Sequence, residues 1–235
     1  MCGIAANLRE IQSEIAAACE KAGRPRAEVT LVAVSKTFPA ESIQSAAEAG
    51  QAVFGESKLQ EAEGKIAVLP EYLEWHFIGR VQRNKVRKIL PLFPVIHGID
   101  SVKLAAHVST VAKELGLRPK LFLQVNVAGE ASKGGFFPAE LSAALPEILT
   151  LESIEVLGLM TIPPADEEEG QTCHWFAELR QLRDELEKKF SISLPALSMG
   201  MSGDFQLAIQ EGATHVRIGS AIFGKRTYRV DGELG

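Results

Sequence analysis

Short apolar runs rich in β-branched residues alternate along the chain with longer stretches whose apolar positions recur at helical spacing. Runs of the first kind, bounded by glycine or proline, read as strands buried on both faces, and stretches of the second kind as amphipathic helices. An opening helix over roughly residues 4–22 stops at Gly23 and Pro25. Strand one is VTLVAVS, Val29 to Ser35, and a helix follows from about Pro39, where proline suits a first turn, to near Gly50. AVFG, ending at Gly55, and EWHFIG, ending at Gly79, are strands two and three. PVIHGID, KLFLQVNV (Lys120 to Val127) and IEVLGLM (Ile154 to Met160) are strands four to six. ALSMG, ending at Gly200, and THVRIG, ending at Gly219, are the last two. The clearest helix runs from about Asp166 to Phe190, with Phe176, Leu179, Leu182, Leu186 and Phe190 on one face. Acidic residues open it and Lys188 and Lys189 close it, as the helix dipole favours.

Eight strands with a helical pattern between neighbours predict an α/β fold, a single eight-stranded parallel (β/α) barrel over residues 1–235. An open doubly wound sheet is the alternative. No linker or shift of composition marks a second domain. With 46% hydrophobic and 23% charged residues, a chain of 235 can bury a core without disulfides or a metal. The net charge of -5 argues against general polyanion binding, though not against a local basic patch. Three cysteines (Cys2, Cys19, Cys173) without a CxxC pair predict a reducing, cytoplasmic setting and no zinc site. The first segment, interrupted by Arg9, Glu10 and Glu14, is no secretory signal, and no run of about 20 apolar residues suggests a membrane span.

In a barrel, chemistry collects at the carboxyl ends of the strands. Lys36 directly follows strand one. Burial there disfavours its charge, and a neutral amine can form a Schiff base; a lysine at the rim could equally snorkel to water. Glycine-rich turns follow strands seven and eight: Gly200, Ser202 and Gly203, then Gly219 and Ser220 before a short helix. Barrels often bind phosphate at this place with backbone N–H groups, although the alternative reading is that the glycines merely turn the chain. Arg217, inside the run VRIG, needs a partner: a carboxylate such as Asp204 or Glu56, or a ligand acceptor. Guanidinium only donates, so a pyridine nitrogen facing it must stay unprotonated. The stretch GRVQRNKVRK packs Arg80, Arg83, Lys85, Arg87 and Lys88 together, as a solvated helix face or as a docking patch for an anionic ligand or acidic partner.

The segments LVAVSKTFP, FGESKLQE, WHFIGRVQRNK, QVNVAGEASKGG, GLMTIP, LSMGMSGDFQLAI and VRIGSAIFGKR, in this order, resemble the YggS/PROSC-type pyridoxal phosphate (PLP) homeostasis proteins over nearly the whole chain. The resemblance implies an alanine-racemase-like barrel of PLP fold type III, monomeric, that binds PLP without established turnover and keeps it available to PLP-requiring apo-enzymes. It implies Lys36 as the Schiff-base lysine and Arg217 against the pyridine nitrogen. It assigns Ser202, Gly203, Gly219 and Ser220 to the phosphate, and Met160, Met199 and His76 or its neighbours to the pocket. Ser57 stands where the family usually has an asparagine near the cofactor ring. The racemases of this barrel type use a second acid–base tyrosine; the tyrosines here, Tyr72 and Tyr228, fall at no strand end. A PLP-dependent racemase and a cofactor-free Schiff-base aldolase remain the competing functions.

Overall fold

The structure, a computed structural model, describes residues 3–130, 133–165 and 167–224. Eight parallel strands close into a barrel in chain order: β1 (Thr30–Val34), β2 (Val53–Glu56), β3 (Glu74–Phe77), β4 (Val95–Ile99), β5 (Lys120–Gln124), β6 (Glu155–Met160), β7 (Ala196–Ser198) and β8 (His215–Ile218). β1 pairs with both β2 and β8, so the sheet has no edges and is not the open doubly wound alternative. Seven of the strands lie inside the runs expected for them, shortened at the ends where the chain turns away, and β2 runs one residue past the expected Gly55 to Glu56.

The helices are α1 (Ile4–Lys21), α2 (Ala40–Glu48), α3 (Leu59–Ile66), α4 (Val86–Ile89), α5 (Val102–Leu115), α6 (Pro138–Leu149), α7 (Glu169–Phe190), α8 (Phe205–Gln210) and α9 (Ser220–Phe223). α5 shows why they form. Ser101 caps it by accepting the Leu104 N–H at 3.3 Å, and Gly116, at φ 67°, takes the left-handed turn that ends it. Between these caps Leu104, Ala105, Val108, Val111 and Ala112 form the face buried against the barrel. Burying each of the larger side chains contributes about 1.5–3 kcal/mol. α7 begins at Glu169; the expected start at Asp166 lies outside the described residues. No described helix is long and apolar enough to cross a membrane.

Alternation along each strand divides the side chains into two cores. The outward-facing set, with Leu31, Ala33, Phe54, Leu121, Leu123 and Met199 among its members, packs against the helices in one continuous cluster. The barrel interior has only a small apolar cluster of Val95, Phe122, Met160 and Ala196. Val32 and Val34 also face inward from β1, and beside these apolar residues the filling is polar: His76, His97, Ser198 and Arg217 are all buried, and His215 partly so.

Candidate functional site

Six of the residues singled out in the sequence line one cavity of about 270 Å³ at the carboxyl ends of the strands: Lys36, Ser202, Gly203, Arg217, Gly219 and Ser220. Val34, Ile78, Ile162 and Met201 supply its apolar walls.

Lys36, partly buried, stands two residues past the end of β1. Its neighbour Thr37 sits at φ 72°, a left-handed conformation costly for a β-branched residue. A buried polar cluster holds the turn. Ser35 Oγ donates to Glu56 Oε1 at 2.7 Å, and Lys65 Nζ reaches down from α3 to Ser35 O (2.9 Å), Glu56 Oε1 (2.7 Å) and Glu61 Oε1 (2.7 Å). Glu61 Oε1 also accepts the Thr37 N–H. Burial pushes the Glu56 carboxyl up, against the opposing hydrogen bond and charge of Lys65. Burial raises that of Glu61 too, but the hydrogen bonds from Lys65 and the Thr37 N–H outweigh it and leave it below the usual range. The strand end that carries Lys36 is thus held by the β2–α3 unit.

The two glycine-rich turns meet in the cavity that Lys36 lines, beside the end of β1. Gly200 sits at φ 92°, and a Cβ there would come within 2.6 Å of the Ala208 Cβ and 2.9 Å of the Phe205 Cα, so only glycine fits. The Gly219 N–H donates to Ser202 Oγ at 3.3 Å, tying the turn after β8 to the turn after β7. Over Gly203 nothing lies within 4 Å of where a Cβ would stand, which leaves its backbone open to the cavity. Small residues, loop N–H groups and two hydroxyls form a cradle that suits an anion.

Arg217 enters the cavity from β8. Its Nη1 donates to Ser198 Oγ at 2.6 Å and its Nη2 to the Thr161 carbonyl at 2.9 Å. Neither Asp204 nor Glu56 forms an ion pair with it. Glu56 is paired with Lys65, and Asp204 supports the guanidinium charge only through space. Burial lowers Arg217 to about 10, so it stays a cation at neutral pH. Behind it a chain of hydrogen bonds runs down the barrel. Ser198 Oγ meets His97 Nδ1 at 2.7 Å, His97 Nε2 meets His76 Nδ1 at 2.9 Å, and His76 Nε2 meets Glu74 Oε1 at 2.9 Å. Burial, then the charges of His76, His215 and Arg217, hold His97 well below the ordinary histidine range. Burial and the same kind of repulsion bring His215 to about 3.

Four other residues singled out in the sequence lie off this cavity. Ser57 lines a neighbouring one of about 180 Å³ with Lys58, Arg80 and Lys85. Met160 lines another, about 490 Å³, which shares Ile78 and Ile162 with the Lys36 cavity. His76 lies below, in the chain just described. Met199 is fully buried in the strand–helix core, because the residue before it, Ser198, takes the inward place on β7. Conversely, Ile78, Ile162 and Met201 were not singled out; each follows a strand by one to three residues, and only the distance past the strand end could have flagged them. In the basic stretch, Val86 and Ile89 are buried while Arg80, Arg83, Arg87 and Lys88 are exposed, and Arg87 pairs with Glu114, as on a solvated helix face.

The family described as alanine racemase, N-terminal domain, matches residues 6–227. The pyridoxal phosphate homeostasis protein of Aquifex aeolicus is 43% identical over 94% of this chain and 97% of its own length. That of Pseudomonas aeruginosa is 45% identical over 97% and 98%. The chain belongs to the pyridoxal phosphate homeostasis protein family. A solved structure of one such similar protein, PipY of Synechococcus elongatus PCC7942 with PLP bound, superimposes with a TM-score of 0.81 at 40% identity, covering 91% of this chain and 100% of that one. The family match spans this chain's cavity from Val34 to Ser220.

Proposed function

We propose that the protein binds PLP in the cavity between Lys36, Arg217 and the two glycine-rich turns, and that it serves PLP homeostasis without sustained amino-acid chemistry. The observation that carries this is the convergence on one cavity of an amine, a donor-only guanidinium and a small-residue anion cradle. Lys36 would hold the cofactor as a Schiff base. Ser202, Gly203, Gly219 and Ser220 would hold its phosphate, and Arg217 would face the pyridine nitrogen and keep it unprotonated. When bound, PLP supplies an electrophilic aldehyde and an electron-withdrawing ring. A ring nitrogen left unprotonated withdraws electrons poorly, which favours storage over turnover. Tyr72 supports the same reading: it is exposed just before β3, at the opposite mouth from Lys36. Tyr228 lies outside the described residues.

In this reading the protein works as a cytoplasmic monomer that releases PLP to PLP-requiring apo-enzymes. The test is an absorption titration with PLP beside Lys36→Ala. A long-wavelength Schiff-base band that needs Lys36, with no turnover of added amino acids, is expected. Absence of the band sinks PLP binding, and Lys36-dependent steady turnover would make the protein a racemase-like enzyme instead.

A further inference from the structure

Resting on that reading of the Arg217 cavity, we propose that Glu74, His76, His97 and Ser198 are positioning residues forming a relay that runs through the barrel and fixes Arg217 for cofactor binding. The polarity of the chain follows from donor and acceptor capacity. Arg217 can only donate, so Ser198 Oγ accepts from it and turns its one hydrogen to His97 Nδ1. His97 then carries its own proton on Nε2 and gives it to His76 Nδ1. His76 in turn donates its Nε2 proton to the Glu74 carboxylate. Every hydrogen points one way, from a cation at the cavity to an anion at the other mouth, and both imidazoles are neutral.

The surroundings enforce this arrangement. His97 is fully buried and stacks on Phe122 at 4.4 Å between ring centres. The other titratable or charged groups that face the chain are His215, whose ring is 6.0 Å from both His76 and His97, Lys120 near the Glu74 end, and Asp204 near Arg217. His215 bonds to Thr214 Oγ1 at 2.9 Å and stays outside the relay. A second proton on His97 would add a buried cation beside Arg217. The Nδ1–H tautomer would aim a hydrogen at Ser198, whose own hydrogen would then have no partner within the chain.

Glu74, the first residue of β3, has a side chain half exposed at the amino-end mouth. The relay therefore lets a residue at the far mouth set the hold on a ligand it never touches.

Two measurements test this. In PLP-free protein, imidazole nitrogen NMR reports tautomers directly: both His76 and His97 are expected as Nε2–H, and Glu74→Leu is expected to release His76 from that form. In a PLP absorption titration, His97→Phe, which keeps the ring against Phe122, is expected to bind about tenfold more weakly. His97→Gln, which can accept from Ser198 and donate to His76, is expected to recover most of the loss. His97 found as the Nδ1–H tautomer, or equal PLP affinity in all these variants, overturns the relay. If His97→Phe does not fold, Glu74→Leu at the exposed mouth decides: unchanged affinity and an unchanged His76 tautomer overturn it. A parent protein with no Lys36-dependent band fails the proposed function instead, and the tautomers still judge the relay.

Discussion

Lys36 owes its place to a neighbour that pays a conformational cost. Thr37 at φ 72° turns the chain three residues past β1, and Glu61 holds its N–H. Thr37→Gly removes the clash of a β-branched side chain in this region, so a rise in stability of up to about 1 kcal/mol is expected from urea unfolding. In the same cavity, Ser202→Ala and Ser220→Ala each remove one hydroxyl donor. Each is expected to weaken PLP binding by about tenfold in an absorption titration, the effect of one hydrogen bond to a charged group. Lys36, Arg217 and the glycine-rich turns could be singled out in the sequence because each is out of character in an apolar strand end. Ser198 and His97 could not be assigned a role, since a serine or histidine in a buried strand has no pattern that names its partner.

At the scale of elements, the β2–α3 unit supports β1. Lys65 is buried, and its partner Glu56 is fully so. Lys65→Met leaves that carboxylate without its cation and is expected to cost about 3–5 kcal/mol in urea unfolding. The double variant with Glu56→Gln should recover a large part of this, because it removes the charge as well. The strands themselves were readable from β-branched apolar runs ended by glycine, and α7 from its apolar spacing. The brace was not, because Lys65 in the acidic segment LQEAEGKI reads as one more solvated helix charge. Its burial depends on α3 lying against the end of β1, a contact between segments 30 residues apart.

For the whole molecule, the barrel is unusual in what fills it: histidines, a serine and an arginine sit where branched apolar residues commonly pack. This makes stability pH-dependent. His97 and His215 are held below the ordinary histidine value of 6.5 in the folded state, His215 at about 3. Below that ordinary value the unfolded chain takes up protons that the folded chain refuses. Their contribution is therefore complete above about pH 6.5 and is lost as the pH falls, by up to about 1.4 kcal/mol per pH unit for each group. Urea midpoints between about pH 7 and 5 should fall steadily, and His215→Phe, which keeps a ring beside Phe122, should flatten the slope. The closed barrel was legible as eight strand–helix alternations, but its polar interior was not, because closure alone brings residues from β3, β4, β7 and β8 into one line.

The central claim is that Lys36 holds PLP in this cavity, and borohydride reduction of PLP-loaded protein followed by peptide mass mapping tests it most directly. The account predicts one reduced phosphopyridoxyl group per chain, on the peptide containing Lys36, and none in Lys36→Ala. A group found on another lysine, or an unmodified chain after loading and reduction, would contradict it.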